Sequence, residues 1–194
     1  MAVLTILIIR HAEKPMEDWP GPGLTEAGVV DAKSLVIRGW QRSGAWTALF
    51  GAGLGGNDYP RPDTVYAAQP GGTGGDDDGP SQRPMETVSA LSPRLDGVRT
   101  NTRYAQGQEE QLMAEVLALS GTVLIAWEHK AIIGAILPEI PAHGALPTKW
   151  PAERFDVVLR FDRADGAARF TYRELYPRLL AGDNDTPLPN GPAL

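Results

Sequence analysis

Apolar and polar positions alternate in blocks along this chain. Leu4-Thr5-Ile6-Leu7-Ile8-Ile9 is a β-branched run with no polar alternation. It predicts a strand buried on both faces, as inside an α/β sheet. Gly121-Thr122-Val123-Leu124-Ile125-Ala126-Trp127 repeats the pattern. Between the two, Leu24-Thr25-Glu26-Ala27-Gly28 predicts a helix start, with Thr25 as N-cap and Glu26 in the first turn. Val29, Val30, Ala32, Leu35 and Val36 carry that helix to about Arg42, and Trp46, Leu49 and Phe50 add another short turn. Pro62 to Ala68 reads as a short strand entered through a proline turn. Ser81 to Leu91 predicts a helix with Pro84 in its first turn. Arg94 to Gly107 is polar loop, and Glu109 to Leu119 is amphipathic, with Leu112, Met113 and Val116 inward. A helix from Ala131 to Leu137 follows the second buried strand at once. Phe155 to Phe161 and Ala168 to Tyr172 flank Arg163-Ala164-Asp165-Gly166 as a hairpin at the sheet edge.

This alternation predicts one α/β domain over residues 1–176 and an irregular, Pro/Gly/Asp-rich tail over 177–194. The formal net charge of -6 argues against non-specific nucleic-acid binding but leaves room for a local anion pocket. Cysteine is absent, which removes disulfides, thiolate metal sites and a thiol nucleophile. The opening apolar run lacks the basic flank of a signal peptide, and no run nears the ~20 residues of a membrane span. A cytoplasmic protein without membrane contact is expected. Gly51 to Gly56 matches G-x-G-x-x-G, but no strand precedes it and no helix follows, so it reads as a connector. Gln69 to Pro80 is nearly all Gly, Pro and Asp, and its Asp76-Asp77-Asp78 run lacks the alternating spacing of a calcium loop.

Both buried strands end in histidine, as Arg10-His11 and Glu128-His129. In open α/β sheets ligands gather at the carboxyl ends of strands. Two guanidinium groups, Arg10 and Arg83, suit the oxygens of a phosphoryl group and neutralise charge as it develops. A neutral imidazole can attack phosphorus and carry the group covalently, and a second can hydrogen-bond an equatorial oxygen. Such a design calls for no metal or other cofactor. His143 reads as a surface residue, while Glu13 and Lys14 stand where a strand-exit loop meets substrate or solvent.

Four blocks together resemble the histidine phosphatase superfamily, the phosphoglycerate-mutase-like fold. They are Leu7-Ile8-Ile9-Arg10-His11-Ala12-Glu13, Leu24-Thr25-Glu26-Ala27-Gly28 with Ala32, Arg83-Pro84-Met85-Glu86-Thr87, and Val123 to His129, in family order. The resemblance implies a three-layer α/β/α fold with a mixed, mostly parallel sheet. It implies His11 as the nucleophile, Arg10, Arg83 and His129 as phosphate ligands, and a nearby carboxylate as general acid. Asp96 and Glu128 are the two candidates for that acid, and Glu13 is a further candidate for substrate contact. Glu128 stands where the family commonly has a small residue. With no acid, the enzyme would be slow or confined to good leaving groups. The activity so implied is metal-independent hydrolysis of a phosphorylated small molecule or phosphoprotein. The alternatives are a phosphomutase, or a non-catalytic phosphate-binding or interaction protein on the same scaffold.

Overall fold

A computed structural model describes residues 3–71 and 81–191. The first apolar run forms β1 (Leu4–Arg10) and the second forms β4 (Gly121–Trp127), paired in parallel from Leu4 opposite Gly121 to Arg10 opposite Trp127. β2 (Thr64–Ala67) lies on the far side of β4, and a two-residue strand, β3 (Thr100–Asn101), adds outside it, both parallel. β5 (Val158–Arg163) pairs antiparallel with β1, and β6 (Thr171–Leu175) closes that edge as the expected hairpin. The order is β3-β2-β4-β1-β5-β6, a mixed and mostly parallel sheet in an α/β fold.

Successive side chains of a strand point to opposite faces. Ile6, Ile8, Val123 and Ile125 therefore pack with Leu112, Met113 and Val116 of α3 (Glu109–Val116). Leu7, Ile9, Leu124 and Ala126 pack instead with Trp46 and Phe50 of α1 (Ile37–Gly51) and Val88 of α2 (Arg83–Val88). After β4 the chain makes one turn of α-helix, α4 (His129–Ala131), widens into a π-helical turn over Ile132–Ile136 and tightens to a 3₁₀ turn over Leu137–Glu139. π-turns recur beside functional sites.

The helix expected from Thr25 begins only at Ile37, so the reading of residues 25–36 is corrected. Gly28 adopts φ +78°, which closes a turn in which the Thr25 N–H donates to the Val29 carbonyl. The N–H groups of Leu24 and Asp31 donate to Leu35 and Gly23, binding the segment as a folded loop. Val29 and Val30 stand 63% and 69% exposed, so their helical spacing buries nothing. The Gly51–Gly56 segment ends α1 and turns toward β2, as a connector should. The acidic run Asp76–Asp78 lies outside the described residues. Among those residues no helix is long and apolar enough to cross a membrane.

Candidate active site

Because β1 and β4 are parallel and in register, their carboxyl ends deliver Arg10-His11 and Glu128-His129 to one end of the sheet. The His11 N–H donates to the Trp127 carbonyl at 2.9 Å and extends the ladder one step past β1. Arg10, His11, Arg83, Glu128 and His129 line one cavity of about 550 Å³.

Arg10 is 1% exposed and its guanidinium lies 3.9 Å from the Phe155 ring centroid. Its Nη1 donates to the carbonyls of Pro151, Ala152 and Arg154 at 3.2, 2.7 and 3.0 Å, while its Nε is buried without a partner. Burial pushes its pKa down to about 9, against the pull of Glu128, Glu13 and Glu153. It remains a cation at neutral pH, and a buried cation with an unused donor is suited to an anion.

His11 is 4% exposed, and its Nδ1 lies 2.8 Å from the Ala12 carbonyl oxygen. A carbonyl only accepts, so Nδ1 carries the proton and Nε2 keeps its lone pair. Burial first, then the Arg10 charge, holds this imidazole well below the usual histidine range, with Arg83 and His129 adding to the effect. The ring is neutral, with its Nε2 lone pair free.

Arg83 opens α2 and is 3% exposed; its side chain donates to the Ser34 carbonyl at 3.4 Å and to the Ala32 carbonyl. The loop that replaced the expected helix is therefore the wall that holds this arginine. One turn on, Thr87 Oγ1 donates to the Arg83 carbonyl at 2.7 Å and accepts the Ala12 N–H at 2.8 Å. A single hydroxyl thus ties the Arg83 helix to the His11 strand end. Glu86 reinforces the wall by accepting from Ser34 Oγ and the Leu35 N–H.

Glu128 Oε1 lies 2.6 Å from His129 Nδ1, and Glu128 Oε2 accepts the Ala131 N–H at 2.9 Å. The residue is both N-cap of α4 and anchor of the second histidine. Burial opposes its charge, but His129 and the N–H groups of Lys130 and Ala131 outweigh that and hold the carboxyl down to about 2. A carboxyl so acidic does not hold a proton for a leaving group at neutral pH, which corrects the reading of Glu128 as the acid.

Asp96 is corrected by position. Its side chain is 93% exposed, pairs with Arg61 at 3.0 Å, and shares a groove with Asp63. Asp63 in turn accepts the Thr122 N–H at the start of β4, so this groove lies at the amino ends of the strands. The cavity is at the opposite end.

Glu13 turns inward as well. It is fully buried, with Arg42 Nε 3.0 Å from each carboxylate oxygen and Arg42 Nη2 2.8 Å from Oε1. Arg42 also grips Asp183 at 2.7 and 3.0 Å. Gly39 allows this approach, since a Cβ there would sit 2.4 Å from the Glu13 carbonyl oxygen. Glu13 therefore braces the strand end from below and does not line the cavity.

Sequence reasoning passed over Glu109, a cavity residue 5% exposed. The signal was present: Glu109 stands three, four and seven residues before Leu112, Met113 and Val116, on the apolar stripe of α3. Lys14, Gln69 and Lys130 also line the cavity, and His143 borders a separate one. Among the described residues no group of three or more His, Asp or Glu gathers where it could hold a metal ion.

No family profile and no curated protein matches this chain. Among solved structures it is similar to a protein titled "Mycobacterial hydrolase 2", with 15% identity, 90% of each chain covered and a TM-score of 0.50. At that identity the likeness is one of fold, and it agrees with the α/β class.

Proposed function

We propose that this chain is a metal-independent phosphatase that hydrolyses a phosphomonoester, on a small molecule or a protein, through a phosphohistidine on His11. The histidine phosphatases it resembles by sequence are its proposed family. The observation that carries this reading is the state of His11. A buried imidazole with Nδ1 committed to the Ala12 carbonyl has one free lone pair, on Nε2, and it lines the same cavity as Arg10, Arg83 and His129.

In the proposed reaction the two guanidinium groups and His129 receive the phosphoryl oxygens and stabilise their developing charge. His11 Nε2 bonds to phosphorus as the bond to the leaving oxygen breaks. Water then attacks phosphorus, the N–P bond breaks, and inorganic phosphate leaves. The backbone tether from Ala12 to Thr87 keeps nucleophile and Arg83 at fixed separation, which near-attack geometry requires.

The test is release of phosphate from 4-nitrophenyl phosphate in the presence of a chelator, comparing the native chain with His11→Ala. Turnover that vanishes in the variant, with an acid-labile phosphoenzyme trapped in the native chain, supports the reading. A folded native chain that binds phosphate without turnover overturns it in favour of a binding protein.

A further inference from the structure

With Asp96 and Glu128 set aside, the proposed reaction still needs a proton donor. We infer that Glu109 is the proton shuttle of this site, donating to the leaving-group oxygen and then accepting from the attacking water. This inference rests on the phosphatase reading above.

Of the described residues lining the cavity, the carboxylates are Glu109 and Glu128. Glu128 is spoken for by His129 and the start of α4. Glu109 is placed by contacts of a different kind. Its Oε1 accepts the Trp127 indole N–H at 2.8 Å, and both its oxygens face the Gly107 N–H at 3.1 and 3.0 Å. Trp127 is the register partner of Arg10 and accepts the His11 N–H through its carbonyl. One residue therefore separates the Glu109 carboxyl from both the phosphate-binding arginine and the nucleophile.

The two oxygens are not equivalent. Oε1 carries the indole bond, whereas Oε2 has only its share of one backbone N–H and so keeps room for a proton. A phosphate dianion in the same cavity disfavours a second negative charge beside it, which favours the protonated carboxyl when substrate is bound.

The step balances. As His11 Nε2 bonds to phosphorus, the electron pair of the breaking P–O bond stays on the leaving oxygen, and the Glu109 proton follows it. In the second half, water oxygen bonds to phosphorus and the N–P pair returns to Nε2. The carboxylate of Glu109 takes the proton of water and is reset.

A general acid matters most when the leaving group is poor. The experiment measures kcat/KM for the native chain, Glu109→Gln and Glu109→Asp on 4-nitrophenyl phosphate, phenyl phosphate and a simple alkyl phosphate. Gln preserves size and the acceptor for Trp127 but holds no exchangeable acid proton. Asp keeps the acid and guards against a Gln variant that fails to fold. The expected result for Glu109→Gln is a loss within about 10-fold on the nitrophenyl ester, rising to roughly 10²-fold or more on the alkyl ester. Glu109→Asp should keep the native trend across the series. Equal losses across the series in a folded Glu109→Gln, or a steepened trend in Glu109→Asp, overturn the inference and leave the phosphatase reading standing. A native chain inert on all three esters overturns that reading itself.

Discussion

The His11 imidazole and the Ala12 carbonyl face each other at 2.8 Å within one strand exit, and this contact fixes which ring nitrogen can react. Because burial and Arg10 hold His11 well below the ordinary histidine range, the imidazole stays neutral as the solution is acidified through pH 6.5. On the phosphatase reading, kcat/KM for an aryl phosphate whose own ionisation is complete should not decline between pH 7 and 6 from protonation of His11. A pH–rate profile in that window checks this, and a fall with midpoint near 6.5 that is absent from the substrate's titration would contradict it.

The same depression has a stability consequence of definite sign. In the unfolded chain His11 takes up a proton near pH 6.5, while the folded chain excludes it. The unfolded state then binds more protons, so stability rises with pH and is lost as pH falls below about 6.5. Each pH unit in that window costs up to about 1.4 kcal/mol from this group. His11→Asn should flatten the slope in denaturant titrations run from pH 7 down to 5.

Thr87→Val keeps the shape of the side chain and removes its hydroxyl. The Ala12 N–H then lacks its acceptor in a buried setting, at a cost of about 1–3 kcal/mol. Chemical denaturation reads the loss of stability. On the phosphatase reading, the same variant should lose kcat more than it raises KM, since it loosens the spacing of nucleophile and Arg83 while leaving each present.

Arg42→Met should be among the most destabilising single changes in the chain. It strands the buried carboxylates of Glu13 and Asp183, and removing one partner from such a cluster costs about 3–5 kcal/mol. Arg38, 3.3 Å from Glu13 and 27% exposed, offsets this only in part. A denaturation midpoint close to that of the native protein would contradict the prediction.

Asp96→Asn should leave turnover unchanged, because its carboxylate stands at the amino ends of the strands beside Arg61. Glu128→Gln should lower stability above pH 4.5, where the native carboxylate is ionised and its unfolded counterpart gains no such contacts. Thermal melts at pH 7 and pH 3 separate the two states: the native advantage should shrink as pH falls from 4.5 toward about 2.

Five of the six described strands were legible, β1 and β4 because continuous β-branched runs have few alternatives to a buried sheet position, while the two-residue β3 falls in the stretch read as polar loop. The parallel pairing of β1 and β4 brings Arg10, His11 and His129 to one cavity, which Arg83 reaches from the start of α2. What sequence spacing misjudged were segments whose conformation is set by distant partners. Val29 and Val30 have helical spacing, yet Gly28 turns the chain and Arg83 uses the resulting loop as a wall. Glu13 reads as a pocket residue in sequence, yet Arg42, which also holds Asp183, claims its carboxylate. Asp96 follows the Arg83 helix closely in sequence, but the chain has by then travelled to the other end of the sheet. Glu109 was overlooked because a charged residue on an apolar stripe reads as a helix start, although that very misfit was the clue.

The Arg10 carbonyl cage is built from Pro151, Ala152 and Arg154, and Arg154 is itself held by Asp156 and by the Thr186 carbonyl. Arg10 and Arg154 are 144 positions apart, and the Arg42–Asp183 pair spans 141. Contacts of such long range, like the pairing of β1 with β5, close after local helices have formed. On the phosphatase reading, phosphate affinity therefore reports that these long-range contacts have closed.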